Sequence, residues 1–124
     1  MSEYAAFQRV DQPEIVDRVL RIKGNAAANP VVEYGRGMAV AWISTGLYEI
    51  TFNENPGQYV CFEGPNWEAT TASQLKGYSC VAGNWDATNF KLRLSVTNAS
   101  DTLADLTSVQ WMSGIVKFSK EKPI

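Results

Sequence analysis

Phe90-Lys91-Leu92-Arg93-Leu94-Ser95-Val96 is the stretch on which the fold turns. Four apolar side chains alternate with three polar ones, so an extended chain here has one dry face and one wet face. The pattern predicts a strand of an antiparallel sheet lying with one side on a core. Working outward, Tyr48, Ile50 and Phe52 alternate with Glu49 and Thr51, and Leu20 and Ile22 alternate with Arg21 and Lys23. Shorter runs over residues 31–34, 59–63, 78–82 and 111–118 read as further strands. Residues 38–44 are apolar on both faces, which suits a central strand covered on both sides or lying at a subunit contact.

Turn signals separate these runs. Ser44-Thr45-Gly46 predicts a tight hairpin with Gly46 at positive φ, and Asn55-Pro56-Gly57 combines a preset φ with a glycine. Gly24-Asn25, Gly35-Arg36-Gly37 and Gly83-Asn84 mark further turns. Residues 64–76 read as a long loop whose one bulky side chain is Trp67, and Ser100 is placed to cap a single helical turn over 103–106. Roughly eight short strands without a long helix predict an all-β protein, an antiparallel β-sandwich. A jelly-roll-like order is preferred to an immunoglobulin-like one. The sandwich is expected over residues 18–119, behind an N-terminal arm at 1–17 and ahead of a charged C-terminal tail at 120–124. The first segment disperses Ala5, Ala6, Phe7, Val10, Ile15 and Val16 among charges, with Pro13 breaking it. It reads either as a disordered or tag-like lead, or as an arm that folds onto a neighbouring subunit.

The 124 residues make one domain's worth of chain, and an apolar share of 45% against 19% charged is that of a globular protein. The net charge of −2 and the scattered Lys and Arg provide no phosphate-backbone footprint, so nucleic acid is not an expected partner. No apolar run is long enough to cross a bilayer, so no membrane partner is expected either. The start, Met1-Ser2-Glu3-Tyr4, lacks the basic and apolar regions of a secretory signal, which leads to the expectation of a soluble protein made in the cytoplasm. In that reducing setting Cys61 and Cys80 are expected as small buried side chains, with a disulfide left open.

Histidine is absent from the sequence, which removes the commonest general base and the Ser-His and Cys-His nucleophile arrangements. Glu49, Glu54, Glu63 and Glu68 fall on strand faces and in loops, at spacings that force no two of them together. No zinc spacing, calcium loop or phosphate-binding glycine motif occurs. The expectation is therefore no enzyme, no cofactor and no metal. Asp101 and Asp105 are expected to cap or flank the helical turn. Trp42 and Trp111 are expected in the core. Trp67 and Trp85 sit among Asn, Asp and Glu, and are either plugs over the open ends of the core or exposed anchors for a partner. With the arm, this makes Tyr4, Phe7, Val10, Ile15, Trp67 and Trp85 the candidate partner-binding residues.

Ala41-Trp42-Ile43-Ser44-Thr45-Gly46-Leu47-Tyr48-Glu49-Ile50-Thr51-Phe52 resembles a strand–Ser/Thr-Gly-aliphatic-Tyr–strand pattern of tailed-bacteriophage virion proteins. The loop over 98–106, followed by Trp111 and a last strand ending in Lys117-Phe118, is similar too, and the resemblance covers roughly residues 18–119. It implies a small capsid decoration (cement) protein on the outside of a phage head. The partner it implies is the major capsid protein, and the location the virion surface. A homo-oligomer, dimer or trimer, is expected. The alternative is a tail-fibre or receptor-binding sandwich that contacts a host glycan near Trp67 and Trp85. A free-standing carbohydrate-binding module and a small carboxylate-dependent hydrolase rank below both.

Overall fold

The computed structural model describes residues 14–120. Its strands are β1 (Ile15–Lys23), β2 (Val31–Tyr34), β3 (Met38–Ser44), β4 (Leu47–Phe52), β5 (Gln58–Ala69), β6 (Ser79–Asp86), β7 (Lys91–Thr97) and β8 (Gln110–Ser119), with one short 3-10 turn at Ala72–Leu75. They form two four-stranded antiparallel sheets: sheet A in the order β2-β1-β8-β5, and sheet B in the order β3-β4-β7-β6. This is the expected β-sandwich. The order is jelly-roll-like in pairing the first strand with the last, while the local hairpins β1–β2, β3–β4 and β6–β7 give it a connectivity of its own.

The alternating stretches supply the core as their periodicity requires. Leu92, Leu94 and Val96 of β7, with Tyr48, Ile50 and Phe52 of β4, face Leu20 and Ile22 of β1 and Met112, Val116 and Phe118 of β8. All of these are buried, and each side chain so enclosed contributes on the order of 1.5–3 kcal/mol. At one end the rings of Phe52, Trp85 and Phe118 meet edge to face at centroid distances of 5.1–5.7 Å. The Arg18 guanidinium lies over the Phe52 ring at 5.2 Å.

The other end is closed by polar anchors. Buried Tyr48 accepts a hydrogen bond at its hydroxyl from the Leu106 N–H (2.9 Å). Asp105 Oδ1 accepts from Trp42 Nε1 and from the Gly46 N–H, both at 2.8 Å, tying the loop before β8 to the β3–β4 hairpin. Gly46 supplies the positive φ (71°) that the hairpin needs. Gly24 is required for a different reason: a Cβ there would stand 2.4 Å from the Leu106 backbone.

Several expectations are corrected. The sheet begins at Ile15, so residues 15–17 belong to the sandwich and not to the arm; Ile15 pairs with Ser119. The residues 38–44 form an edge strand and not a central one. Their second face carries the small Ala39 and Ala41 and an exposed Ile43, and Asn29 Oδ1 accepts the Trp42 N–H at the edge. Residues 64–69 continue β5 across an irregularity between Glu63 and Asn66 instead of forming a loop, and Gly83-Asn84 is a bulge inside β6 instead of a turn. The helical turn over 103–106 does not form. Asn98, not Ser100, organises that loop, its Oδ1 accepting from the N–H groups of Ser100 and Thr102. Asp105 thus caps no helix. Trp111 is not a core residue: Met112, Gly114, Val116 and Phe118 point inward, which turns Trp111, Ser113, Ile115 and Lys117 outward. Cys61 and Cys80 are free thiols on different sheets, and burial pushes the Cys80 thiol up to about 12.

Candidate interaction surface

The outer faces of the two sheets differ in kind. Sheet A shows solvent the off-phase residues of β1 and β8, set side by side by the register Asp17–Lys117, Val19–Ile115, Arg21–Ser113 and Lys23–Trp111. β5 adds Glu63 beside Ile115 and Glu68 beside Trp111. In β2 a bulge sets Tyr34 opposite Arg21 and Val32 opposite Ile22, leaving Glu33 as the extra residue. The inserted residue lets Glu33 and Tyr34 both serve the outer face while Val32 packs on the core. The exposed large apolar side chains concentrate here: Tyr34 (63%), Val31 (51%), Ile15 (43%) and Val19 (42%). The outer face of sheet B offers instead Ala39, Ala41, Thr51 and Ser95 around Glu49, with Val81 as its prominent apolar group.

The charges on sheet A are mutually neutralised around one ring. Trp111 carries the Arg21 guanidinium at 5.8 Å and the Lys23 ammonium at 5.6 Å from its centroid, and its Nε1 donates to Glu33 Oε2 (3.3 Å). Arg21 Nε meets Glu33 at 2.9 Å, and its Nη1 meets Glu68 at 3.0 Å. The hydrogen bond from Arg21, then that from Trp111, holds the Glu33 carboxyl below the usual carboxylate range, and Glu68 and Glu33 raise the Arg21 guanidinium. One strand-length away Lys117 meets Asp17 at 2.9 Å and Glu63 at 3.8 Å, and the Asp17 carboxylate raises the Lys117 ammonium. Trp, Tyr and Arg between β-branched side chains are the composition of a protein-binding patch.

Comparisons with known proteins leave the geometry to speak alone. No family model, no curated protein and no solved structure matches this chain. Among the described residues no three His, Cys, Asp or Glu stand together as metal ligands, and no helix is long and apolar enough to cross a membrane.

Of the residues picked from the sequence, Tyr4, Phe7 and Val10 lie outside the described residues. Ile15 is on the outer face of sheet A. Trp67 and Trp85 lie on β5 and β6, not in loops, and both pack against the core. They work as a reciprocal pair across the open side between the sheets. Trp85 of sheet B stacks on Tyr59 of sheet A (5.9 Å, 14°), while Trp67 of sheet A meets Tyr78, the residue before β6, edge-on (6.0 Å). Each also borders a shallow cleft: Trp85 one of about 440 Å3 with Asn55 and Gln58, Trp67 one of about 560 Å3 with Glu68 and Lys76.

Sequence reasoning missed Val19, Arg21, Tyr34, Trp111 and Ile115 as surface residues. A signal existed for four of them: Val19 shares the strand phase of Arg21 and Lys23, and Trp111 and Ile115 share that of Lys117. Apolar residues in a wet phase mark a second face with something to cover. Tyr34 carried no such signal, because its direction depends on the bulge.

Proposed function

We propose that this protein is a non-enzymatic virion structural protein, a capsid decoration (cement) protein that binds the outside of a phage head and stabilises the shell across capsid subunit boundaries. The observation that carries the reading is the outer face of sheet A, where aromatic and β-branched side chains stand exposed among charges that already have partners. Aromatic and aliphatic side chains set within a rim of paired charges are the make-up of an adhesive patch. The resemblance of residues 41–52 and 98–118 to tailed-phage virion proteins supplies the setting. The major capsid protein is then the partner, and the virion surface the location. A shell under internal pressure must break every added interface before it opens, and many copies of a weak contact act together.

The test mixes the purified protein with heads that lack it. Sedimentation with the particles and a raised heat resistance are expected; a protein that stays in the supernatant and leaves the heads unchanged overturns the reading. The host-glycan alternative has less support, because Tyr59 stacks on the Trp85 ring while Phe52 and Phe118 crowd the same indole.

A further inference from the structure

We infer that the outer face of sheet A is covered by the same face of a second copy, in a two-fold dimer whose axis runs between β1 and β8. The inference rests on reading that face as the adhesive surface, and it names the occupant.

The argument is one of complementarity. A two-fold axis lying in the plane of contact and parallel to the strands lays β1 of each copy over β8 of the other. Every row that joins β1 to β8 within a chain is thereby repeated between chains. Asp17 comes over Lys117 of the second copy, Val19 over its Ile115, and Lys23 over its Trp111, each contact occurring twice. The pairs that already attract within a chain, Asp17 with Lys117 at 2.9 Å and Lys23 with the Trp111 ring at 5.6 Å, become four-membered groups with no like charges newly opposed along these rows. The apolar pair Val19 and Ile115 lies at the middle of the β1–β8 register, on the axis, where an interface is driest. Tyr34, turned outward by the β2 bulge, comes over the β5 end of the row through Arg21, Ser113 and Asn66.

The size also fits. Three strands of nine or more residues, β1, β8 and β5, with the four-residue β2 beside them, stand about 4.8 Å apart and give a footprint of roughly 500 Å2. Side-chain relief raises the accessible area above that footprint, toward the roughly 800 Å2 per partner of a stable interface. Sheets packed face to face stand about 10 Å apart, room for one interdigitated layer of Val, Ile, Tyr and Trp. A dimer of this kind presents two sandwiches side by side, which makes it a bivalent clamp for adjoining subunits of a shell.

Sedimentation velocity of the full chain across a concentration series tests the inference without any capsid. A dimer is expected by about 100 μM, with Val19→Glu raising its dissociation constant on the order of 100-fold by placing two carboxylates in the dry centre. Lys117→Glu is expected to weaken the dimer, and the double reversal Asp17→Lys with Lys117→Glu to restore it. Circular dichroism melts check that each variant is folded. A monomeric full chain overturns the inference, as does a dimer indifferent to Val19→Glu. A chain lacking residues 1–13 that dimerises where the full chain does not also overturns it, since the chain's own leader would then be the cover. Binding to heads by a monomer would leave the proposed function standing while this inference fell.

Discussion

Tyr48 shows how one atom joins two parts of the molecule. Its ring lies in the core between the sheets, and its hydroxyl oxygen meets the N–H of Leu106, a residue equally buried and 58 positions away. A backbone donor at that depth has no water to turn to, so its partner matters more than an average hydrogen bond does. Tyr48→Phe keeps the ring and removes the acceptor. It is expected to cost about 1–3 kcal/mol, read as a lower urea midpoint at unchanged slope. An unchanged midpoint would mean that the loop before β8 finds another acceptor. The alternation of Tyr48 with Glu49 made the ring's burial legible in the sequence. The hydroxyl's partner was not legible, because nothing local links positions 48 and 106.

At the scale of the element, strands are joined across their wet faces as well as through the core. Glu49 on β4 reaches Arg93 (3.0 Å) and Lys91 (3.3 Å) on β7, and is itself well covered while Arg93 stays half in water. The hydrogen bond from Arg93 leads in lowering the Glu49 carboxyl below its ordinary value of 4.5. A depressed acid contributes stability that is complete above the unfolded value and is lost as the pH falls through the folded one. Melting temperatures of the native chain should therefore decline below about pH 4.5, and Glu49→Gln should flatten that decline. At neutral pH the same change should cost about 0.5 kcal/mol, given the exposed partners. Parallel acid profiles for the two proteins would show that the cross-strand group contributes nothing. The elements themselves were legible where the period of two was clean, as in β4 and β7. They were misread where an irregularity breaks the period: Gly83-Asn84 looks like a turn in sequence and is a bulge in the sheet, because β7 continues past it.

For the whole molecule the decisive feature is the open side between β5 and β6, two edges in different sheets. Aromatic residues from both close it, Trp85 with Tyr59 at one end and Trp67 with Tyr78 at the other. Trp85 also touches Phe52 and Phe118, so its removal opens the core to water. Trp85→Ala is expected to destabilise the fold by about 3–5 kcal/mol in chemical denaturation. An exposed partner anchor would instead lie within about 0.5 kcal/mol of the parent. That contrast separates the two roles that the sequence left open for this residue. Among the described residues, closing one side with rings leaves the outer face of sheet A as the place where exposed aromatic and β-branched side chains gather.

Local periodicity determined that this chain is a β-sandwich and which residues of its best strands are dry, because alternation needs no knowledge of neighbours. Turn chemistry at Gly46 and Asn55-Pro56-Gly57 was equally local. Only the tertiary structure decided that β3 lies at an edge, that Tyr34 faces out, and that Asp17, Val19 and Lys23 share rows with Lys117, Ile115 and Trp111. Strand order and register are set by which faces best fill a common core, a property of residues a hundred positions apart that no single strand carries.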